Sequence, residues 1–241
     1  EENVWRLCRD LLYGRSEEEE AGAPADEGRG LAALKSQTPN PAFAGRLKAV
    51  FVSNEELCMP LWNQKAGGSR SLMGEPGFVL WDYHVLAVLD CGELGLGCHV
   101  LDLDTQLQPF PTPFDEYVER ALRPELVEAC ASRQQLSRRM FRVVPAEEYL
   151  RTLCSDRSHM LDKETGLYMA QPPQEPPIRC KQPGCADEHS TNLFQQFVRM
   201  EPGSGCGEVL AEQDFLRRFG YCEADRAAQS YSSGMAPARI A

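Results

Sequence analysis

The chain has 241 residues, 42% of them hydrophobic, long enough to bury a full core as one domain with appendages. Its net charge of −11 argues against a nucleic-acid or anionic-membrane surface, and no apolar run approaches the roughly 18–20 residues that span a bilayer. Ten cysteines would suit a disulfide-rich secreted domain, but several here sit in apolar runs (Cys8, Cys58, Cys154), which predicts reduced buried thiols and a reducing compartment.

Glu1–Tyr13 carries Val4, Trp5, Cys8, Leu11 and Leu12 at amphipathic helical spacing, with acidic residues at its start to complement the helix dipole. Cys8 lies on the apolar stripe two turns in, which predicts core packing for it. Gly14 to about Gly45 combines an acidic run with Ala, Gly, Pro and Ser. That composition buries too little apolar surface to offset ordering, so a disordered insertion is expected over 14–45. Lys48–Ser53 and Leu57–Asn63 read as two strands, followed by a Gly/Ser/Pro-bearing loop, Gln64–Gly77.

Phe78–Thr105 reads as an antiparallel hairpin around the glycine-rich CGELGLG. Alternation puts Leu80, Asp82, His84 and Leu86 on one face and Val79, Trp81, Tyr83 and Val85 on the other. On the returning strand Val100, Asp102 and Asp104 lie together. An even-sum register brings His84 and Asp102 to one face, whereas a one-residue slip separates them. A histidine beside a carboxylate is how an imidazole is held in one tautomer for acid–base work, although such pairs are more often structural. The residues alone leave both readings open. GELGLG precedes a strand rather than a helix, so a dinucleotide-binding reading fails on context.

Gln106–Pro113 is a proline-broken connector. Phe114–Ala121 and Pro124–Ser132 read as helices, Met140–Val144 as a strand, and Pro145–Cys154 as a helix with proline in its first turn. Ser155–Met160 is a polar cluster in which Asp156 and Arg157 are expected to pair with each other or cap backbone groups. His159 competes with His84 for a catalytic role but lacks a strand-held carboxylate. Leu161–Ser190 is a Pro/Gly-rich excursion. Its Cys180, Cys185 and His189, with Cys206, are too loosely spaced for a structural zinc site, so no metal is expected. Asn192–Met200 and Ala211–Phe219 read as helices, Gly220 closes the second, and 222–241 reads as a flexible tail.

WDYHV at Trp81–Val85, DLDT at Asp102–Thr105 and SDRSHM at Ser155–Met160 resemble the protein N-terminal glutamine amidohydrolases. So, in order, do EENVWRLC at Glu1–Cys8, AVFVSNE at Ala49–Glu55 and FLRRFG at Phe215–Gly220. The resemblance implies an α+β fold, a mostly antiparallel sheet flanked by helices with a papain/transglutaminase-like core, as one catalytic domain over 1–221. It also implies a Cys–His–Asp triad in which His84 and Asp102 fill the last two places and the cysteine falls immediately before Glu1. Residues 1–241 are accordingly expected to fold without hydrolysing substrate. No metal or organic cofactor is implied.

The implied reaction removes the side-chain amide of an N-terminal glutamine, a step in marking proteins for degradation. The expected enzyme is a monomer of the cytoplasm and also the nucleus. It meets peptides and proteins with an exposed N-terminal glutamine, without a nucleic-acid or membrane partner. Selectivity for a terminal residue calls for a carboxylate facing the α-ammonium. Asp104 is the first choice, on the Asp102 face, with Asp82, on the His84 face, as the alternative. Trp81 is expected in the core unless a bulge re-aims it. A papain-like peptidase or transamidase, and a non-catalytic binder of N-termini, are the competing readings.

Overall fold

The computed structural model describes residues 1–14, 38–69, 71–72, 75–133, 137–162, 164–169, 171–172, 174–178 and 191–221. In chain order these form α1 (Glu2–Tyr13), β1 (Leu47–Ser53), β2 (Met59–Leu61), β3 (Ser71–Leu72), β4 (Glu75–Pro76), β5 (Val79–Trp81), β6 (Tyr83–Asp90) and β7 (Cys98–Leu101). There follow β8 (Thr112–Pro113), α2 (Phe114–Tyr117), α3 (Pro124–Ser132), β9 (Met140–Pro145), α4 (Ala146–Thr152), β10 (Glu208–Ala211) and α5 (Glu212–Arg218). The fold is α+β. A six-stranded sheet in the order β10–β9–β1–β6–β7–β8, antiparallel at every step, is flanked by helices, and β2–β5 and β3–β4 form two small sheets beside it.

The sheet has two covered faces because its central strands are apolar on both. Leu47, Ala49 and Phe51 of β1, with Val85 and Ala87 of β6, pack against Val4, Trp5, Cys8 and Leu12 of α1 and against Tyr149 and Leu150 of α4. Val50, Val52, Leu86 and Val88 point the other way, onto Phe114, Tyr117, Val118, Phe215 and Leu216. Strands buried on both sides read as continuous apolar runs, as KAVFVS and HVLAVL do. Fully burying each such side chain contributes roughly 1.5–3 kcal/mol, and α1 and the hairpin are held mainly this way.

Several expectations are corrected. The run Phe78–Asp90 is not one strand: it bends at Asp82, leaving β5 to pair with β2 and β6 to enter the main sheet. The strands expected at 48–53 and 57–63 enter different sheets, β1 the main one and β2 the small one. Of the 14–45 segment expected to be disordered, Gly14 and residues 38–45 are among the described residues: the Asn40 N–H donates to the Leu12 carbonyl at 2.7 Å, and Phe43 packs against the cluster that includes α1. Residues 15–37 and 222–241 lie outside the described residues, as do Cys180, Cys185 and His189 and the side chain of His159. Val118–Leu122 and Phe194–Val198 are π-helical turns in place of regular helix. Strand β10 went unforeseen because Glu208–Ala211 is short and only half buried, an edge strand without an alternating signal. Cys154, expected as a reduced thiol, is disulfide-bonded, whereas Cys8, Cys58, Cys91, Cys98, Cys130 and Cys206 are free.

Candidate active site

The hairpin register pairs Ala87 with Leu101 and Asp90 with Cys98, the even-sum alternative, so His84 and Asp102 share a face. His84 lies in the second position of β6, opposite Val52. Asp102 follows β7 directly, where the chain leaves the sheet in a turn closed by the Thr105 N–H on the Asp102 carbonyl. His84 Nε2 lies 2.8 Å from Asp102 Oδ1, and both residues are buried.

Asp102 is surrounded by donors. Oδ1 accepts from His84 and from the Asp104 backbone N–H at 2.9 Å. Oδ2 accepts from Gln64 Nε2 at 2.9 Å and the Tyr117 hydroxyl at 2.8 Å. A carboxylate has about four lone-pair sites, and all are used. Burial alone would raise the Asp102 carboxyl, but the His84 charge and the hydrogen bonds from His84, Gln64 and Tyr117 outweigh it and hold it at about 2. Asp102 is therefore an anion and only an acceptor, which assigns the Nε2 hydrogen to His84. Its Nδ1 makes no hydrogen bond among the described residues.

Gln64 reaches Asp102 because two loops are stitched together. An isolated bridge joins Gln64 to Thr105, and the Gln106 N–H donates to the Asn63 carbonyl. The chain turns at Asn63, whose φ of 56° asparagine tolerates better than most residues. Gly77 packs directly on this turn: its carbonyl accepts the Gln64 N–H at 2.9 Å, and a Cβ there would lie 2.6 Å from the Gln64 nitrogen.

Trp81 is re-aimed by the bend at Asp82. Its indole packs on the His84 imidazole, with ring centroids 5.2 Å apart and planes at 30°. The expectation that it faces only core is corrected. Asp82 is exposed, its carboxylate capping the Tyr83 N–H. Asp104 is half-buried and accepts the Ala66 N–H at 3.2 Å. Burial raises its carboxyl above the usual range despite that hydrogen bond, with the Asp102 charge adding to the rise.

The start of α1 meets the same end of β6. The Tyr83 hydroxyl donates to the Glu1 carboxylate at 3.1 Å, and the Tyr149 hydroxyl donates to the Glu1 carbonyl at 2.9 Å. Glu2 is buried, taking Arg157 Nε at 2.9 Å and Nη2 at 2.6 Å, a bidentate pair. Arg157, at φ 62° in the left-handed region, pairs with Glu2, while the Asp156 carboxylate caps the Ser158 N–H. Cys8 lies wholly in the core beneath α1, its thiol pushed far up by burial and then by the Glu147 charge.

Gln64, Tyr117 and the Glu2–Arg157 pair were not singled out for these contacts from sequence. Tyr117 reads as one more apolar residue of FDEYVERA, and Gln64 is an unmarked loop residue. A tyrosine on a buried helix stripe, needing a partner for its hydroxyl, is the signal that was there to use.

The antiparallel α+β fold thus carries a buried His–Asp pair at one end of its sheet. Residues 1–219 match the family described as N-terminal glutamine amidase, and the chain belongs to that family. It is similar to the protein N-terminal glutamine amidohydrolases of Drosophila grimshawi and Drosophila willistoni, each 36% identical over 219 residues, and to that of Drosophila melanogaster, 35% identical. Each alignment covers 91% of this chain and 84% of the relative.

Proposed function

We propose that this chain, extended upstream by a cysteine adjoining Glu1, hydrolyses the side-chain amide of an N-terminal glutamine in peptides and proteins, giving glutamate and ammonia. The nucleophile in this reading is a cysteine immediately before Glu1, at the start of α1, where the helix N-terminal field favours a thiolate. The thiolate adds to the carboxamide carbon. His84 Nδ1–H then protonates the departing nitrogen, ammonia leaves, and a thioester remains. Neutral Nδ1 next takes a proton from water, whose hydroxide cleaves the thioester to glutamate and frees the thiol. Asp102 orients the ring and stabilises its imidazolium. The route calls for no metal or organic cofactor.

The observation that carries the reading is the meeting of two things at one end of β6. His84 is anchored there on an ionised Asp102, and neighbouring Tyr83 ties down Glu1, the residue next to the proposed nucleophile. Asp104 is the proposed carboxylate for the α-ammonium, with Asp82 the alternative. Asp104 sits one residue beyond Leu103 on the Asp102 turn, and an incoming ammonium would relieve its raised carboxyl. The enzyme is proposed to act as a monomer of the cytoplasm and nucleus.

The test is ammonia release from Gln-initiated peptides by the full-length protein, with the peptide backbone followed by mass spectrometry. Free-amine peptides should be deamidated with the backbone intact, and N-acetylated ones should be poor substrates. Backbone cleavage would mean a peptidase. Binding without turnover would mean a recognition protein. Equal turnover of acetylated and free peptides would remove the N-terminal specificity.

A further inference from the structure

Two of the four donors on Asp102 approach from the side turned away from His84. The Tyr117 hydroxyl and Gln64 Nε2 both end on Oδ2, at 2.8 and 2.9 Å. Tyr117 is fully buried in the cluster that joins Val118 and Ala121 to one face of the sheet, where phenylalanine would pack without a hydroxyl to satisfy. Gln64 leaves its own Oε1 buried and without a partner. The acceptor-only carboxylate fixes which way that amide faces, so the side chain is arranged for Asp102 and leaves its own oxygen unsatisfied.

We infer that Tyr117, assisted by Gln64, is a positioning residue that sets the charge felt by His84. This rests on the reading of His84 as the acid–base group. Donors on Oδ2 draw negative charge away from Oδ1 and lock the carboxylate plane. The imidazolium is then stabilised enough to form, yet still able to surrender its Nδ1 proton to departing ammonia. With Oδ2 bare, the carboxylate would concentrate its charge on the ring and hold that proton more tightly. The same donors stabilise the anion and so make Asp102 a poor acceptor for the His84 Nε2 proton.

The experiment follows the His84 ring by NMR in the full-length protein, alongside amide hydrolysis. Tyr117→Phe, which keeps the ring volume, should move the His84 titration midpoint upward by about half a unit, a modest share of a charge-assisted hydrogen bond. It should also lower kcat several-fold with KM unchanged. Gln64→Met should shift the midpoint in the same direction and carries the test if the tyrosine variant does not fold. A purely structural role would lower the melting temperature and leave the titration where it is. Unmoved midpoints in the folded variants overturn the inference. A moved midpoint with unchanged kcat supports it while contradicting the catalytic assignment of His84, so the two failures are distinguishable.

Discussion

At the scale of single residues, the donors around Asp102 decide how a substitution there behaves. Asp102→Asn replaces one oxygen by an NH2 group, which must face either His84 and Asp104 or Tyr117 and Gln64. The backbone N–H of Asp104 can only donate, whereas a hydroxyl rotates and a carboxamide flips, and Gln64 already carries an unpartnered Oε1. The new NH2 therefore settles on the Oδ2 side, and the Asn oxygen keeps the His84 Nε2–H tautomer. The expected outcome is a folded protein with kcat reduced on the order of 10²-fold, because the imidazolium loses its counter-charge but not its orientation. In sites where the substitution forces the wrong tautomer the cost is nearer ~10⁴-fold. Ring NMR of the variant checks the tautomer directly. An Nδ1–H resting tautomer would contradict the argument.

At the scale of elements, the site depends on the close approach of two turns. Gly77 has φ +66° and touches the Gln64 backbone, whereas Gly97, in the hairpin turn with φ +69°, has open space where a Cβ would go. Gly77→Ala should therefore cost roughly 2–4 kcal/mol and disturb Gln64, while Gly97→Ala should cost only the left-handed backbone penalty of about 1–2 kcal/mol. Urea midpoints of the two variants, with kcat beside them, make the comparison. Equal losses would show that the approach of Gly77 to Gln64 does not matter.

These contacts also mark where the sequence stopped being legible. The amphipathic spacing of α1, the proline start of α3 and the apolar run of β1 follow from local pattern, because burial on a given face is written in residue spacing. The even register could be framed from the hairpin but not chosen, since the turn length leaves both parities open. The bend at Asp82 and the reach of Gln64 and Tyr117 to one carboxylate depend on long-range packing. No residue near them announces it. Trp81 shows the consequence: strict alternation assigned it to the core face, and one bend turned its ring onto His84.

At the scale of the molecule, the buried anion couples folding to pH. The Asp102 carboxyl lies at about 2 in the fold against an ordinary 3.8. A depressed carboxyl contributes stability that is fully present above its unfolded value and is lost as pH falls through the folded one. The wild-type protein should therefore lose stability from about pH 4 down to about pH 2 more steeply than Asp102→Asn. Chemical denaturation across that window checks the sign. Parallel acid limbs would mean that the fold does not lower the Asp102 carboxyl below its unfolded value.

In the proposed reaction His84 and Asp102 serve a cysteine placed immediately before Glu1. This is tested most directly by ammonia release from one Gln-initiated peptide under identical conditions. The proteins compared are residues 1–241 alone, the chain extended upstream with Cys adjoining Glu1, and the same extension with Ser there. Ammonia is expected from the Cys form only, because a hydroxyl is a much weaker nucleophile at neutral pH and Cys8 is buried in the core with its thiol protonated. Release by residues 1–241 that disappears on Cys8→Ala would contradict it and move the nucleophile to Cys8.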